Sequence, residues 1–185
     1  MGTTSGDDDA LGLDRTVVRV VPHRPEWAAL FAEEAARLRA ALGDRLMAIE
    51  HVGSTSVPGL AAKPILDLAA SVPSLREAEA LVPALRALGY IHKPDPEMPE
   101  RLYLVKGPPE RRTHHLSLAE PASRLWREHL LFRDRLRADA ALASDYARLK
   151  FELAERFATD RPAYLAGKQA FIDAALLRET GDVRG

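Results

Sequence analysis

The side chains that could do chemistry concentrate in residues 50–67, EHVGSTSVPGLAAKPILD. A strand delivers the chain into Gly53-Ser54-Thr55-Ser56, whose small residues let backbone N–H groups turn toward an anion. The hydroxyls of Ser54, Thr55 and Ser56 add donors for phosphate oxygens, and Lys63 adds a mobile positive charge. Asp67 falls in mid-strand among apolar neighbours, where a carboxylate is costly unless hydrogen-bonded, paired or bound to a cation. Beside a phosphate-binding loop, a divalent metal such as Mg²⁺ is its natural partner. Read alone, GSTSVPG is an ordinary hairpin or crossover turn and Asp67 a structural hydrogen-bond acceptor. The stretch is neither a Walker A loop nor GxGxxG, because no Gly-Lys-Ser/Thr closes it and Lys63 comes too late. The pairing of loop and strand-borne carboxylate within fourteen residues is what gives it functional weight.

A second cluster follows in THHLSLAE, where His115 and Ser117 share one strand face and His114 and Leu116 the other. His115 is suited to ligate a metal, contact a phosphate or act as a general base, and each histidine alone is equally an ordinary hydrogen-bonded one. Glu50 and His51 flank the Gly53 turn, and alternation aims one at it and one away. Arg101, Lys106, Arg111 and Arg112 lie near the histidine strand in sequence. If they converge they neutralise an anionic substrate, with Lys106 and Arg112 the chosen phosphate contacts; otherwise PPERRTHH is a solvated loop.

The elements that must position these groups are legible in outline. Residues 1–14 read as a disordered leader and Arg15–Val21 (RTVVRVV) as a short strand. Pro25 opens a helix with Trp27, Leu30, Phe31, Leu38 and Leu42 on one stripe. Strands are predicted over 46–52, 63–72, 90–92, 101–106 and 113–119, and KPDPEMPE must be a loop. Ser74-Leu75-Arg76-Glu77 matches a capping box and starts a helix that ends at Gly89, with Pro83 expected to kink it. After Pro121 only helices follow, over 123–137, 144–157 and 162–177, with Trp126, Phe132, Tyr146 and Phe157 as packing residues. Arg133 and Lys150 lie in the same helices, within possible reach of the cleft. The order predicts an α+β fold: a mixed sheet region over 15–120 flanked by helices, and a C-terminal helical region over 121–180 packed on it.

Composition limits the chemistry further. The 185 residues carry 26 Lys+Arg against 27 Asp+Glu, so no global basic field grips a polynucleotide and no nucleic-acid partner is expected. Absence of cysteine excludes disulfides, thiolate metal sites and a Cys nucleophile. No apolar run reaches the ~20 residues of a membrane helix. The Met1–Ala10 stretch, with Asp7-Asp8-Asp9, is the reverse of a basic signal segment, so a cytoplasmic location without membrane contact is expected. Charge held locally favours a small phosphate-bearing ligand. The oligomeric state is not legible.

HVGSTSVPGLAAKPILDL closely resembles the signature of the GrpB family, placed in the nucleotidyltransferase superfamily of DNA polymerase β type. VVPHRPEWAALFAEEAARL is similar to the family's opening strand and helix, with His23 where an aromatic residue is usual. RLYLVKG, RTHHLSL, WREHLLFRDRLR, YARLKFELA and YLAGKQAFI match later blocks in order, so the resemblance covers about residues 16–177. It implies a nucleotidyltransferase-like sheet and an enzyme binding a nucleoside triphosphate with Mg²⁺, transferring a nucleotidyl group to an acceptor. Gly53 and Ser54 then face the triphosphate, Asp67 is the first metal carboxylate, and Lys63 offsets developing charge. The second carboxylate is due two residues on, where this chain has Ala69; Glu50 or a histidine such as His115 would have to substitute. Ser117 also departs from an implied His-x-His pattern. The alternative is a catalytically degenerate nucleotide- or anion-binding module, with a link to coenzyme A metabolism suggested by family members fused to a dephospho-CoA kinase. A structural or protein-interaction role is a third reading.

Overall fold

A computed structural model describes residues 11–14, 17–108 and 110–177. Their centre is a five-stranded mixed sheet in the order β2-β3-β7-β5-β4, formed by β2 (Ala48–Val52), β3 (Leu66–Ser71), β4 (Tyr90–His92), β5 (Arg101–Lys106) and β7 (His114–Ala119). Only β3 and β7 run parallel; the other neighbouring pairs are antiparallel. A separate two-stranded ladder joins β1 (Leu13–Asp14) to β6 (Arg111–Arg112).

Alternation along these strands divides the chain into two layers. One sheet face carries Ile49, Leu66, Leu68, Ala70, Leu102, Leu104, Leu116 and Leu118, the main core. Against it pack α1 (Glu26–Leu42), through Trp27, Leu38 and Leu42, and α2 (Leu75–Ala87), through Ala78, Leu81 and Leu85. The Ser74 side chain accepts from the Glu77 N–H, as the capping-box pattern requires, and α2 continues through Pro83. On the opposite face packs α3 (Arg124–Ala138), with α4 (Ala140–Arg156) and α5 (Arg161–Leu177) packed against α3 and each other. Leu125 and Trp126 of α3 close over Val52, Ala69 and Ala119, while Phe132, Leu136, Tyr146 and Ala175 join the helices to Val57 and Leu60. The α+β architecture and the order of elements agree with the sequence reading.

Two expectations near the N-terminus need correction. Residues 1–10 of the expected leader, and Arg15-Thr16, lie outside the described residues. Leu13, within that segment, is buried and paired in β1 rather than disordered. The strand expected over 15–21 reduces, among the described residues, to one bridge between Val21 and Ala62. Its β-branched run is used for anchoring instead, since Val18 is buried against Leu153 and Tyr164. The third difference is β6, which falls in PPERRTHH where a loop was the simpler reading.

Candidate functional site

Register brings the two principal groups together. Asp67 of β3 lies beside His115 of β7 in the parallel ladder, so both side chains leave the same sheet face. His115 Nδ1 is 2.9 Å from Asp67 Oδ1. Burial pushes the Asp67 carboxyl up, but the His115 bond and charge, then Lys168 and Lys63, outweigh it and hold it below the usual carboxylate range. An ionised Asp67 accepts from His115 Nδ1–H, which leaves Nε2 as the free basic nitrogen. The Asp67 side chain keeps 42% of its surface exposed and His115 15%, so the pair is open to the cleft.

The turn beside this pair depends on glycine. Gly53 has φ +68° and ψ −173°, a region essentially restricted to glycine. A Cβ there would lie 2.5 Å from Asp67 Oδ2. Backbone and carboxylate therefore meet at a distance only glycine permits. Ser54 opens on the cleft, which Tyr146 also lines. Thr55 and Ser56 are buried: Thr55 Oγ1 is 2.9 Å from His51 Nε2, and Ser56 Oγ donates to the Gly53 carbonyl at 2.6 Å. Thr55 still borders the cleft, whereas the Ser56 hydroxyl is spent on closing the turn.

Two lobes meet over the dyad, sharing Ser54, Asp67, Arg101, Tyr103, His115 and Lys168. The first, about 360 Å³, is lined by Lys63, Arg101, Lys150, Arg161 and Lys168 with Asp67 as its one carboxylate. Lys63, Arg161 and Lys168 form no ion pair among the described residues; Lys63 and Lys168 each stand 5.3 Å from the Tyr164 ring centre. Burial, then Lys168 and Arg161, bring the Lys63 amine down to about 7. Burial and Lys168 do the same to Lys150, whose Nζ donates to the Ala61 carbonyl and sits 4.6 Å from the Tyr146 ring centre. Such a surplus of poorly solvated positive charge is a site for a polyanion. The second lobe, about 290 Å³, is different in kind: Asp67, Glu100 and Glu128 balance Arg101, Arg124 and Lys168. Its remaining wall is largely apolar, with Val52, Leu125, Phe132, Ile172 and Leu176.

Several groups chosen from sequence are not at this centre. Lys106 lies on the other sheet face, where its Nζ reaches both Glu34 oxygens at 2.7 and 2.9 Å, and Tyr90 donates to the same carboxylate. Arg112 is buried and donates to the Gly107 carbonyl. Neither borders the two lobes, because proximity in sequence does not fix the face of a strand. His51 stacks on Phe31 of α1, away from the cleft. Glu50 does share the face of Asp67, but its carboxylate is taken by Arg133 at 2.6 Å. Position 69 is fully buried under α3. Among the described residues no three His, Asp or Glu side chains gather as a metal-binding group. The donors therefore do not fit the two-metal clamp that the resemblance implies: Asp67 stands alone on the floor among cations.

Sequence reasoning missed Arg161 and Lys168 of α5, as well as Tyr103 and His129. The α5 pair had a readable signal, since positions seven apart return to one helix face. Gly167 lets α5 approach α4 closely, because a Cβ there would lie 2.6 Å from the end of the Leu153 side chain.

Comparison with known proteins places this geometry in context. The family model described as GrpB protein matches residues 17–178. The chain is 37% identical over 158 residues to the UPF0157 protein YqkA of Bacillus subtilis, covering 85% of this chain and 46% of that one. It is 32% identical over 188 residues to a dephospho-CoA kinase of Mycolicibacterium paratuberculosis, covering 89% and 46%. It thus spans just under half the length of these two curated relatives. The crystal structure of conserved protein GrpB from Enterococcus faecalis superposes with a TM-score of 0.77 at 34% identity, covering 87% of this chain and 99% of that one.

Proposed function

This chain belongs to the GrpB family, and from that premise we propose that its cleft binds a phosphate-bearing small molecule, of nucleoside triphosphate class, and transfers the nucleotidyl group to an acceptor. The observation that carries the reading is the lobe in which Lys63, Lys150, Arg161 and Lys168 surround one carboxylate, Arg101 being paired with Asp95, and which opens on the Asp67–His115 pair. Lys63, Arg161 and Lys168 hold the phosphates and take up the charge that develops on the leaving pyrophosphate. Ser54 and the Gly53 turn border the reacting phosphate. Asp67 orients the imidazole, and His115 Nε2 receives the proton of the acceptor. The Mg²⁺ expected from the resemblance is assigned no step, for lack of a second carboxylate.

Position Ala69 favours a second reading, a binding module that keeps the fold without turnover. Incubation with labelled ATP, CTP, GTP and UTP, in Mg²⁺, Mn²⁺ or chelator, separates the two. Pyrophosphate release that falls at least a hundredfold in Asp67→Asn supports transfer. Nucleotide affinity without turnover supports the module, and the dephospho-CoA kinase relative makes coenzyme A precursors the first further ligands to titrate. Failure of both nucleotides and pyrophosphate to bind overturns the proposal.

A further inference from the structure

We infer that the second lobe is the acceptor site and that it takes an uncharged small molecule with an apolar, aromatic-sized body and a reacting hydroxyl. The inference rests on the phosphate reading of the first lobe, and three observations extend it.

The lobes differ in charge. The first lobe sets Lys63, Lys150, Arg161 and Lys168 around one carboxylate, which suits a polyanion, whereas in the second Arg101 is paired with Asp95 and Arg124 with Glu128, and Asp67 and Glu100 stand against Lys168, so that it offers no net field to one. The side chains differ as well: at the second lobe, of about 290 Å³, Ile172 and Leu176 with the edges of Val52, Leu125 and Phe132 lie beside the polar groups and give an apolar body a place to rest. Finally, Arg101 and His129 of this wall each keep a buried nitrogen, Nε and Nδ1, without a hydrogen-bond partner among the described residues, which marks a polar end of an otherwise apolar wall.

Position on either side of the dyad then assigns the roles. In-line displacement at phosphorus puts nucleophile and leaving group on opposite sides of the transferred group. With the pyrophosphate in the cationic lobe, the attacking oxygen comes from the other. That oxygen forms a bond to the α-phosphorus as the α-phosphorus–oxygen bond to pyrophosphate breaks. Its proton passes to His115 Nε2, and pyrophosphate leaves with the bonding pair beside Lys63, Arg161 and Lys168.

The test uses 2-(4-hydroxyphenyl)ethanol as probe of the second lobe and pyrophosphate as probe of the first, on the full chain. Ligand-observed NMR follows the alcohol and calorimetry the pyrophosphate. In the wild type both bind at once. Ile172→Arg, and Gln169→Trp from an exposed position bordering the lobe, weaken the alcohol at least tenfold and leave pyrophosphate within twofold. Lys63→Ala and Arg161→Ala, at residues that line only the first lobe, do the reverse, and circular dichroism verifies that each variant is folded. No binding of the alcohol, its displacement by pyrophosphate, or indifference to both second-lobe variants overturns the inference. If pyrophosphate and nucleotides both fail to bind, the phosphate reading falls instead, so the two failures are distinct.

Discussion

Replacing Gly53 by alanine tests whether the turn and the Asp67–His115 pair are one device. The added methyl meets two costs. The first is backbone: at φ +68° and ψ −173° a non-glycine residue costs on the order of 1–3 kcal/mol. The second is local, because a Cβ 2.5 Å from Asp67 Oδ2 forces the carboxylate to turn and breaks its 2.9 Å bond to His115. A charge-assisted bond of this kind nets roughly 1.5–3 kcal/mol, and partial exposure of Asp67 brings it to about 1–2 kcal/mol. Gly43 supplies the control, since its φ of 57° and ψ of −140° are also glycine-like while nothing stands within 4 Å of its missing Cβ. Gly43→Ala therefore carries the backbone cost and the same unfolded-state gain without the collision. For a chain of this size ~1 kcal/mol moves Tm by about 2–4 °C. Gly53→Ala should then melt roughly 2–8 °C below Gly43→Ala in scanning calorimetry. Long-range ¹H–¹⁵N NMR should show the His115 ring losing its single Nδ1–H tautomer only in Gly53→Ala. Equal melting of the two variants, with an unchanged His115 pattern, refutes the coupling.

The cationic lobe should draw protons with its ligand. Lys63 and Lys150 sit at about 7 in the free protein, and a bound polyanion raises both, so at pH 8 both lysines should take up protons as pyrophosphate binds, offset by any proton the ligand itself gives up. Calorimetry in buffers of different ionisation enthalpy counts them, and Lys63→Arg should lower the count. Acid should unfold the other layer. Burial brings His51 and His114 down to about 4 in the folded chain, against 6.5 unfolded. The unfolded state thus binds more protons between those values, and stability is lost as pH falls from 6.5 toward 4. Each histidine contributes about 2 kcal/mol of that loss by pH 5. Urea midpoints at pH 7 and pH 5 measure it, and His51→Gln should remove roughly half; an unchanged slope would show that His51 does not titrate on unfolding.

What was legible in sequence was local. Gly53, Ser54, Lys63 and Asp67 lie on one strand-turn-strand unit, so chain connectivity already holds them together. Period-two alternation was enough to put His115 and Ser117 on one face. It failed for Lys106, because the face of β5 is fixed only by its register with β7: Val105, not Lys106, pairs with His115. Lys106 is then committed to Glu34, whose 4% exposed carboxylate needs a counter-charge inside the main core. The cations of α5 were hidden for the opposite reason. Helical period gave their common face, but no sequence signal said that this face would close over the sheet beside Asp67.

Ala69 shows how packing limits the chemistry available here. It occupies the strand position from which a second carboxylate would share the face of Asp67, between Glu50 of β2 and Ser117 of β7. Leu125 and Trp126 close over it and leave it with no exposed surface. An acidic side chain there would be ionised beneath an apolar helix face, or would push α3 outward and break the seam that joins the helices to the sheet. The nearest acid on that face, Glu50, is consumed in tethering Arg133 of the same helix. The docking of α3 thus fixes the number of carboxylates on the floor at one, and α5 supplies the countervailing cations from the other side of the cleft. Whatever negative charge the site manages must be met by Lys63, Lys150, Arg161 and Lys168, the residues whose substitution should reach ligand binding first.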